Sequence, residues 1–161
     1  MKRWRKSLGI LALLLVAENS IAADFTGKWS IDLRTPAQRE RKAECGFAEF
    51  TLVQTKDQVE GSHSFYTTDC GRINEGGPGT VKGFVADGRA ILVVTSGRNG
   101  EMALGVATLE GEYLRWQVKR ELRPGEPEGD SGLILAKGQL IRIKPAAQSQ
   151  PNTSLERTRG E

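Results

Sequence analysis

Charged and polar side chains cluster in three segments that lie between predicted strands. The first two segments contain Arg72, Asn74, Glu75, Arg98 and Asn99. The third segment, residues 124–131, adds carboxylates. The planar guanidinium of arginine forms paired hydrogen bonds with carboxylates and phosphates, so these segments have the chemistry of a binding surface. The alternative interpretation is that the charges only stiffen the loops and keep them solvated.

A second set of residues matches the order of a serine-protease triad. His63, Asp69 and Ser131 follow one another along the chain, and Ser131 lies in a Gly-Asp-Ser-Gly tetrapeptide. That tetrapeptide matches the nucleophile motif of chymotrypsin-like proteases. A triad is defined by geometry and not by order, however, and this chain is far shorter than a two-barrel protease. We therefore expect no catalytic residues and favour a protein that is not an enzyme.

His63 is the only histidine of the chain. It either forms a structural hydrogen bond or contacts a ligand, and the sequence leaves both interpretations open. No second histidine or closely spaced cysteine pair provides the spacing of a metal site. The glycine-rich stretch at residues 76–79 is not followed by the Gly-Lys-Ser/Thr of a phosphate-binding loop. We expect neither a metal nor a cofactor.

Residues 1–23 have the features of a secretory signal peptide. Four basic residues at positions 2–6 precede an apolar run at residues 8–17, and Ala22 and Ala23 provide the small residues of a cleavage site. The apolar run is shorter than the about 20 residues that a membrane helix needs. The sequence predicts an exported protein, periplasmic or secreted, with no membrane span after cleavage.

Removal of this leader changes the charge of the protein. The leader holds four of the 23 basic residues and one of the 20 acidic residues, which leaves 19 of each in the mature chain. Nucleic-acid binding needs a basic surface that neutralises phosphates, so we expect no nucleic-acid partner. The remaining length suits one domain, residues 24–144, followed by a polar and flexible tail at residues 145–161.

The mature chain alternates runs of β-branched and aromatic residues with turn residues, which predicts an all-β fold. The predicted strands span residues 26–33, 47–54, 58–66, 80–86, 89–96, 101–109, 112–120 and 133–144. Short turns at Thr55-Lys56, Asp87-Gly88 and Glu110-Gly111 alternate with longer polar loops, so an eight-stranded antiparallel up-and-down barrel would have one tight end and one loop-rich end. A short helical segment is expected at residues 36–44.

The two cysteines fit this arrangement. A turn at Thr55-Lys56 would pair Leu52 with Val59 and would bring Cys45 to the same end of the barrel as Cys70. An even cysteine pair in an exported protein predicts a disulfide. The bond would tie the first and the second long loop together at the rim.

The first predicted strand resembles those of known barrel families. Residues 26–33 are similar to the opening strand of the avidins, and Gly27-x-Trp29 is also the start motif of the lipocalins. Both families are calycins, so the resemblance implies a β-barrel closed at one end by Trp29. It also implies that a basic residue of the last strand, Arg142, packs on this tryptophan. Biotin binding does not carry over, because Ile31 and Leu140 replace the polar residues of that site.

The order Gly27-x-Trp29, Cys45, Cys70 also resembles the small periplasmic inhibitors of bacterial metalloproteases. Those inhibitors enter the protease with an N-terminal trunk, and here only about two residues precede the first strand.

We expect an apolar interior with a few polar groups. The predicted lumen residues are Trp29, Phe50, His63, Phe65 and Trp116, together with some of Leu92, Val94 and Met102. Glycines within the strands either leave room for a ligand or mark tight bends. The sequence favours an exported protein that binds a small hydrophobic or amphipathic ligand in the lumen or mouth. The alternative is a protein-interaction or protease-inhibitor module whose rim contacts an envelope or secreted protein.

Overall fold

A closed eight-stranded barrel makes up the protein. The computed structural model describes residues 23–126 and 134–144; the rest of the predicted signal peptide and the predicted tail lie outside these ranges. Each strand pairs with the next in antiparallel orientation, and the first pairs with the last. The elements are β1 (Gly27–Asp32), α1 (Pro36–Glu40), β2 (Cys45–Thr55), β3 (Gln58–Thr68), β4 (Ile73–Ala86), β5 (Arg89–Thr95), β6 (Met102–Glu110), β7 (Tyr113–Arg123) and β8 (Lys137–Ile143). The all-β, up-and-down prediction is confirmed.

The tight turns lie together at one end of the barrel, which we call the closed end. The turns are Lys56-Asp57, Asp87-Gly88 and Gly111-Glu112. Two of them start one residue later than the sequence predicted. Each turn begins at a residue with positive φ, namely Lys56 at 58°, Asp87 at 49° and Gly111 at 61°. Such residues suit the mirror-image turns that match the twist of a hairpin.

The pairing of β2 with β3 differs from the predicted register by two residues. Leu52 lies opposite Gly61 rather than Val59, and Phe50 lies opposite His63. Side chains of a strand alternate between the two faces, so a shift of two leaves every side chain on the face that was predicted. The inward face of both strands was therefore correct although the partners were not.

Strand β4 begins at Ile73, whereas the sequence predicted a loop over residues 67–79. The pairing of β3 with β4 jumps from Gly61↔Val81 to His63↔Gly76, so residues 77–80 form a bulge within the strand. Glycine and proline were interpreted as the end of a strand, but here they build this bulge. The connection from β3 to β4 shrinks to residues 69–72, which moves Asn74 and Glu75 from a loop into a strand.

The other end of the barrel, which we call the rim, carries the longer connections. The connection between β1 and β2 contains α1, which is shorter than the predicted helical segment. Thr35 caps this helix, and its side chain and that of Gln38 form reciprocal bonds to the backbone. Cys45 and Cys70 form the predicted disulfide at the rim, with their Cα atoms 5.3 Å apart.

The last connection also differs from the sequence prediction. Strand β7 extends three residues further than predicted, to Arg123, and β8 begins at Lys137 instead of residue 133. Ile134 and Leu135 leave the sheet and pack into the core. No helix of the described residues has the length and apolar character needed to cross a membrane.

Candidate functional site

The interior of the barrel is filled by side chains. Trp29, Phe50 and Trp116 are at most 2% exposed, and Leu92, Leu114 and Leu140 are fully buried. A side chain beside a void large enough for a water molecule would have exposed surface, so no such void adjoins Trp29 or the three leucines, which are fully buried. The predicted lumen residues therefore form a packed core.

Trp116 shows how the interior is filled. Its ring lies over Gly105 of β6, where a Cβ atom would overlap the indole. It contacts Phe50 edge-on, with ring centroids 5.2 Å apart, and its Nε1 donates to the carbonyl of Leu135. Phe65 is half-buried and packs against the same core. Gly105 thus provides room for a side chain of the protein itself.

Met102 is the exception among the predicted lumen residues. It pairs with Thr95 at the rim end of β5 and β6 and lies on the outer face of the wall. Ala103, its neighbour in β6, is the residue that points into the core.

The closed end is sealed around Trp29. Its Nε1 donates to the carbonyl of Phe25, which is itself fully buried. The guanidinium carbon of Arg142 lies 4.4 Å from the Trp29 ring centroid. Arg142 also donates to the carbonyls of Thr26 and Asp24, which joins the last strand to the segment before the first. The predicted stacking of Arg142 on Trp29 is present.

His63 lies inside the barrel, opposite Phe50 on β2. Its Nδ1 is 3.3 Å from Thr80 Oγ1, and the Thr80 hydroxyl donates to the carbonyl of Gly77 in the bulge. The hydroxyl proton is thus used, so His63 Nδ1 carries a proton and donates it to Thr80. His63 Nε2 is buried without a hydrogen-bond partner among the described residues. Burial lowers the pKa of His63 to about 4.

His63 and Asp69 do not contact each other, so they do not form the His–Asp pair of a catalytic triad. Asp69 lies at the exposed rim, where Arg41 holds it with two hydrogen bonds of 3.0 and 2.5 Å. These bonds lower the pKa of Asp69. Ser131 lies outside the described residues. Within the described ranges, no three or more His, Cys, Asp or Glu side chains form a group that could hold a metal ion.

Several contacts brace the first rim connection. Arg34 donates to both carboxylate oxygens of Asp32 and to the carbonyl of Ala43. The Arg34 guanidinium lowers the pKa of Asp32 to about 2. The backbone of Asp69 donates to the carbonyl of Glu44, beside the disulfide. The α1 segment and the β3–β4 connection therefore form one braced unit.

Buried polar groups organise the β5–β6 connection, residues 96–101. Asn74 is fully buried, and its Oδ1 accepts from the Ser96 hydroxyl and from the backbone of Gly97, both at 3.2 Å. The Ser96 hydroxyl oxygen accepts in turn from the backbones of Arg98 and Asn99. Arg123 of β7 donates to the carbonyl of Gly100. Asn74 thus supports this loop from within the barrel and does not face solvent.

The other predicted rim residues lie at the same end of the barrel. Arg72 and Arg98 are exposed on neighbouring connections, and Asn99 is half-buried between its loop and Glu126. Glu75 is exposed and lies opposite Ser64, on the outer face of β4. The structure therefore groups the predicted residues at the rim, but it places only Arg72, Arg98 and Asn99 in loops. The carboxylates at residues 128 and 130 lie outside the described ranges.

A groove on the outer wall was not predicted from the sequence. It has a volume of about 420 Å³ and crosses the outer faces of β4, β5 and β6, where Phe84, Ile91, Val93, Met102 and Leu104 line it. The signal was present at residues 90–94, an uninterrupted apolar run, Ala-Ile-Leu-Val-Val. A strand with one face in solvent normally alternates, so a continuous run indicates apolar residues on both faces.

Comparison of the chain with protein-family models, curated proteins and solved structures finds no match.

Proposed function

We propose that the protein is an exported binding protein that recognises an envelope or secreted protein through its rim. The observation that carries this proposal is the bracing of the rim loops above a filled core. Binding requires that flexible groups become ordered, so a surface that is already ordered loses less free energy on association. Loops on a rigid scaffold are the usual place for recognition residues. The disulfide is compatible with the oxidising compartment that the proposal requires.

The packed interior favours the rim over the lumen as the binding site. A small ligand in the lumen would have to displace Trp116 or Phe50, which lie in edge-on contact and are almost fully buried. Such displacement would expose aromatic surface and break the bond from Trp116 to Leu135. A relationship to the calycins is a proposal as well, supported by the contact of Arg142 with Trp29.

The structure also bears on how an inhibitor of this shape would work. Phe25, which precedes β1, is fully buried, and its backbone donates to the Gln54 side chain. The residues directly before the barrel are therefore part of the closed end. An inhibitor version of the proposal has to use the rim loops rather than an N-terminal trunk.

Two matched double variants test the proposal. Lys42→Glu with Arg72→Glu reverses two exposed charges at the rim, and Lys56→Glu with Arg89→Glu reverses the same two residue types at the closed end. Lys42 and Lys56 share a positive φ, at 55° and 58°, so the two lysine substitutions are also matched in backbone conformation. Each mature variant serves as bait for envelope and secreted proteins, and quantitative mass spectrometry measures what it captures.

We expect at least one protein that the wild type captures to be lost by the rim variant and retained by the closed-end variant. Equal capture by both variants would count against recognition through the rim. A parallel titration with hydrophobic probes follows the fluorescence of Trp29 and Trp116, and saturable quenching there would favour the lumen instead.

A further inference from the structure

Three rows of side chains cross the outer wall of the barrel from β4 to β7. The central row is Lys82, Val93, Leu104 and Arg120, each paired with the next across neighbouring strands. Paired residues of an antiparallel sheet project from the same face. The central row therefore has two apolar side chains in the middle and one cation at each side. With neighbouring strands about 4.8 Å apart, the Cα atoms of the two cations are separated by roughly 14 Å.

The flanking rows continue this pattern. Towards the closed end, Phe84 pairs with Ile91 and Ile91 with Val106. Towards the rim, Thr95 pairs with Met102 and Met102 with Arg123. Apart from Val106, the apolar residues of the three rows line the groove on the outer wall, and Phe84 at its edge is 45% exposed.

The cations beside this groove have no carboxylate in contact. Lys82, Arg120 and Arg123 form no ion pair within the described ranges. Arg123 donates Nε and Nη2 to the carbonyl of Gly100, which fixes the guanidinium and leaves its charge uncompensated. Glu60 is the cross-strand neighbour of Lys82 on β3, but these two described residues form no ion pair, and Glu60 does not line the groove. An apolar floor between unpaired cations has the chemistry of a site for an anion with an apolar body.

We propose that this outer-wall groove binds a single-chain anionic amphiphile. The alkyl chain lies on Ile91, Val93 and Leu104, and the anionic head meets Arg120 and Arg123 or Lys82. The volume of about 420 Å³ lies within the range of roughly 300 to 1,000 Å³ of small-ligand pockets. A protein partner of ordinary affinity covers about 800 Å² with 20 to 30 residues on each side, which is far larger than this groove. The groove lies on the outer wall and reaches the rim at Arg123, but the proposal does not depend on the proposed function.

Calorimetric titration of the mature protein tests this proposal with three probes, each below its micelle concentration. The probes are dodecanoate, the neutral dodecanol, and acetate, which has the charge without the chain. We expect saturable binding of one dodecanoate per protein, at least tenfold weaker binding of dodecanol, and no binding of acetate. Absence of saturable dodecanoate binding, or equal affinity for dodecanol, would overturn the proposal.

Matched variants test where on the barrel dodecanoate binds. Phe84→Glu inserts a charge at the groove, and Ile141→Glu does so at an apolar residue of similar exposure, 45% against 50%, on another part of the wall. Lys82→Gln with Arg120→Gln removes two cations beside the groove, and Arg89→Gln removes one from the closed end. We expect at least a tenfold loss of dodecanoate affinity in the two groove variants and none in the controls, with all melting temperatures close to that of wild type.

Two further outcomes identify a different ligand or a different place. If dodecanoate still binds to the Phe84→Glu variant and quenches the fluorescence of the tryptophans, the ligand lies in the lumen. This result would overturn the proposal of a groove site. If the protein binds vesicles of anionic phospholipid but not monomeric dodecanoate, the outer wall contacts a bilayer surface rather than a single amphiphile. This result would also overturn the proposal. The capture experiment with the rim variants does not involve the groove, so loss of the groove proposal leaves that test of the rim unchanged.

Discussion

His63 is a buried neutral imidazole that has no charged partner among the described residues. The groups that face it are Phe50 of β2 and Gly76 and Thr80 of β4, and none of them titrates. Protonation would place a charge and a second donor in this surrounding, while Nε2 has no acceptor within hydrogen-bond distance among the described residues. The cost of burying the charge explains the lowered pKa.

This environment predicts a loss of stability in mild acid. The folded state has a His63 pKa of about 4 against 6.5 for the free side chain, so the unfolded chain takes up the proton first as the pH falls. The free energy of unfolding should therefore fall between about pH 6.5 and pH 4, by about 3 kcal/mol, and then level off for this group. Urea unfolding at a series of pH values measures it.

His63→Phe is the control for this pH dependence. The variant keeps a ring in the core and has no titrating group there, so its stability should be nearly flat over the same pH range. The lowered pKa values of Asp32 and Asp69 act mainly below about pH 4, where their ion pairs with arginine are lost, and overlap only with the acid end of this window. An unchanged slope in His63→Phe would show that another group is responsible.

Substitution of Gly105 by alanine tests how closely the interior is packed, because it adds one carbon atom to the core. A Cβ at this position would overlap the Trp116 ring, so Gly105→Ala should lower the free energy of unfolding by about 1 to 3 kcal/mol. Gly77→Ala is the matched control, because nothing lies within 4 Å of a Cβ there. Thermal unfolding of both variants decides the point. A Gly105→Ala variant as stable as wild type would mean that the indole has space to move.

The disulfide joins two elements of the fold, the start of β2 and the connection between β3 and β4. The cysteines are 25 positions apart, and a loop of this size contributes about 3 kcal/mol in the chain-entropy model. Reduction should increase hydrogen exchange at residues 33–46 and 67–72. Protection within β5, β6 and β7 should persist, because these strands have their own core. Loss of protection throughout the barrel would show that the barrel depends on the bond.

The strands could be predicted because their pattern is local. Residues that alternate between apolar and polar identified the inward faces, and turn residues identified the closed end. The start of β4 could not be predicted in the same way. Residues 76–79 consist of Gly-Gly-Pro-Gly, which is typical of a loop, yet they belong to β4 because residues 73–76 pair with β3 before the bulge. That pairing depends on tertiary structure.

The candidate site was predicted less completely than the fold, for a similar reason. Asn74 is polar and next to Glu75, which suggested a pair of exposed rim residues, yet strand alternation buries the first and exposes the second. The sequence also could not show whether the interior is filled by side chains or empty. Gly105 was compatible with room for a ligand, and the orientation of the Trp116 ring is what removes that room.

The two ends of the barrel differ in structure. The closed end is sealed by Phe25, Trp29 and Arg142, and the rim carries loops that are braced by the disulfide, by Asn74 and by Arg123. A packed core connects the two ends. A scaffold of this type presents its described rim loops as an ordered surface, and we propose that recognition occurs there.

Site-specific photo-crosslinking shows which end of the barrel contacts a partner. A photoreactive residue replaces Arg72 at the rim in one protein and Asp87 at the closed end in another, and both are exposed in their native environment. We predict that irradiation in the presence of envelope or secreted proteins yields a discrete adduct from position 72 and none of that mass from position 87. Adducts from position 87 alone, or the same adduct from both positions, would contradict recognition through the rim.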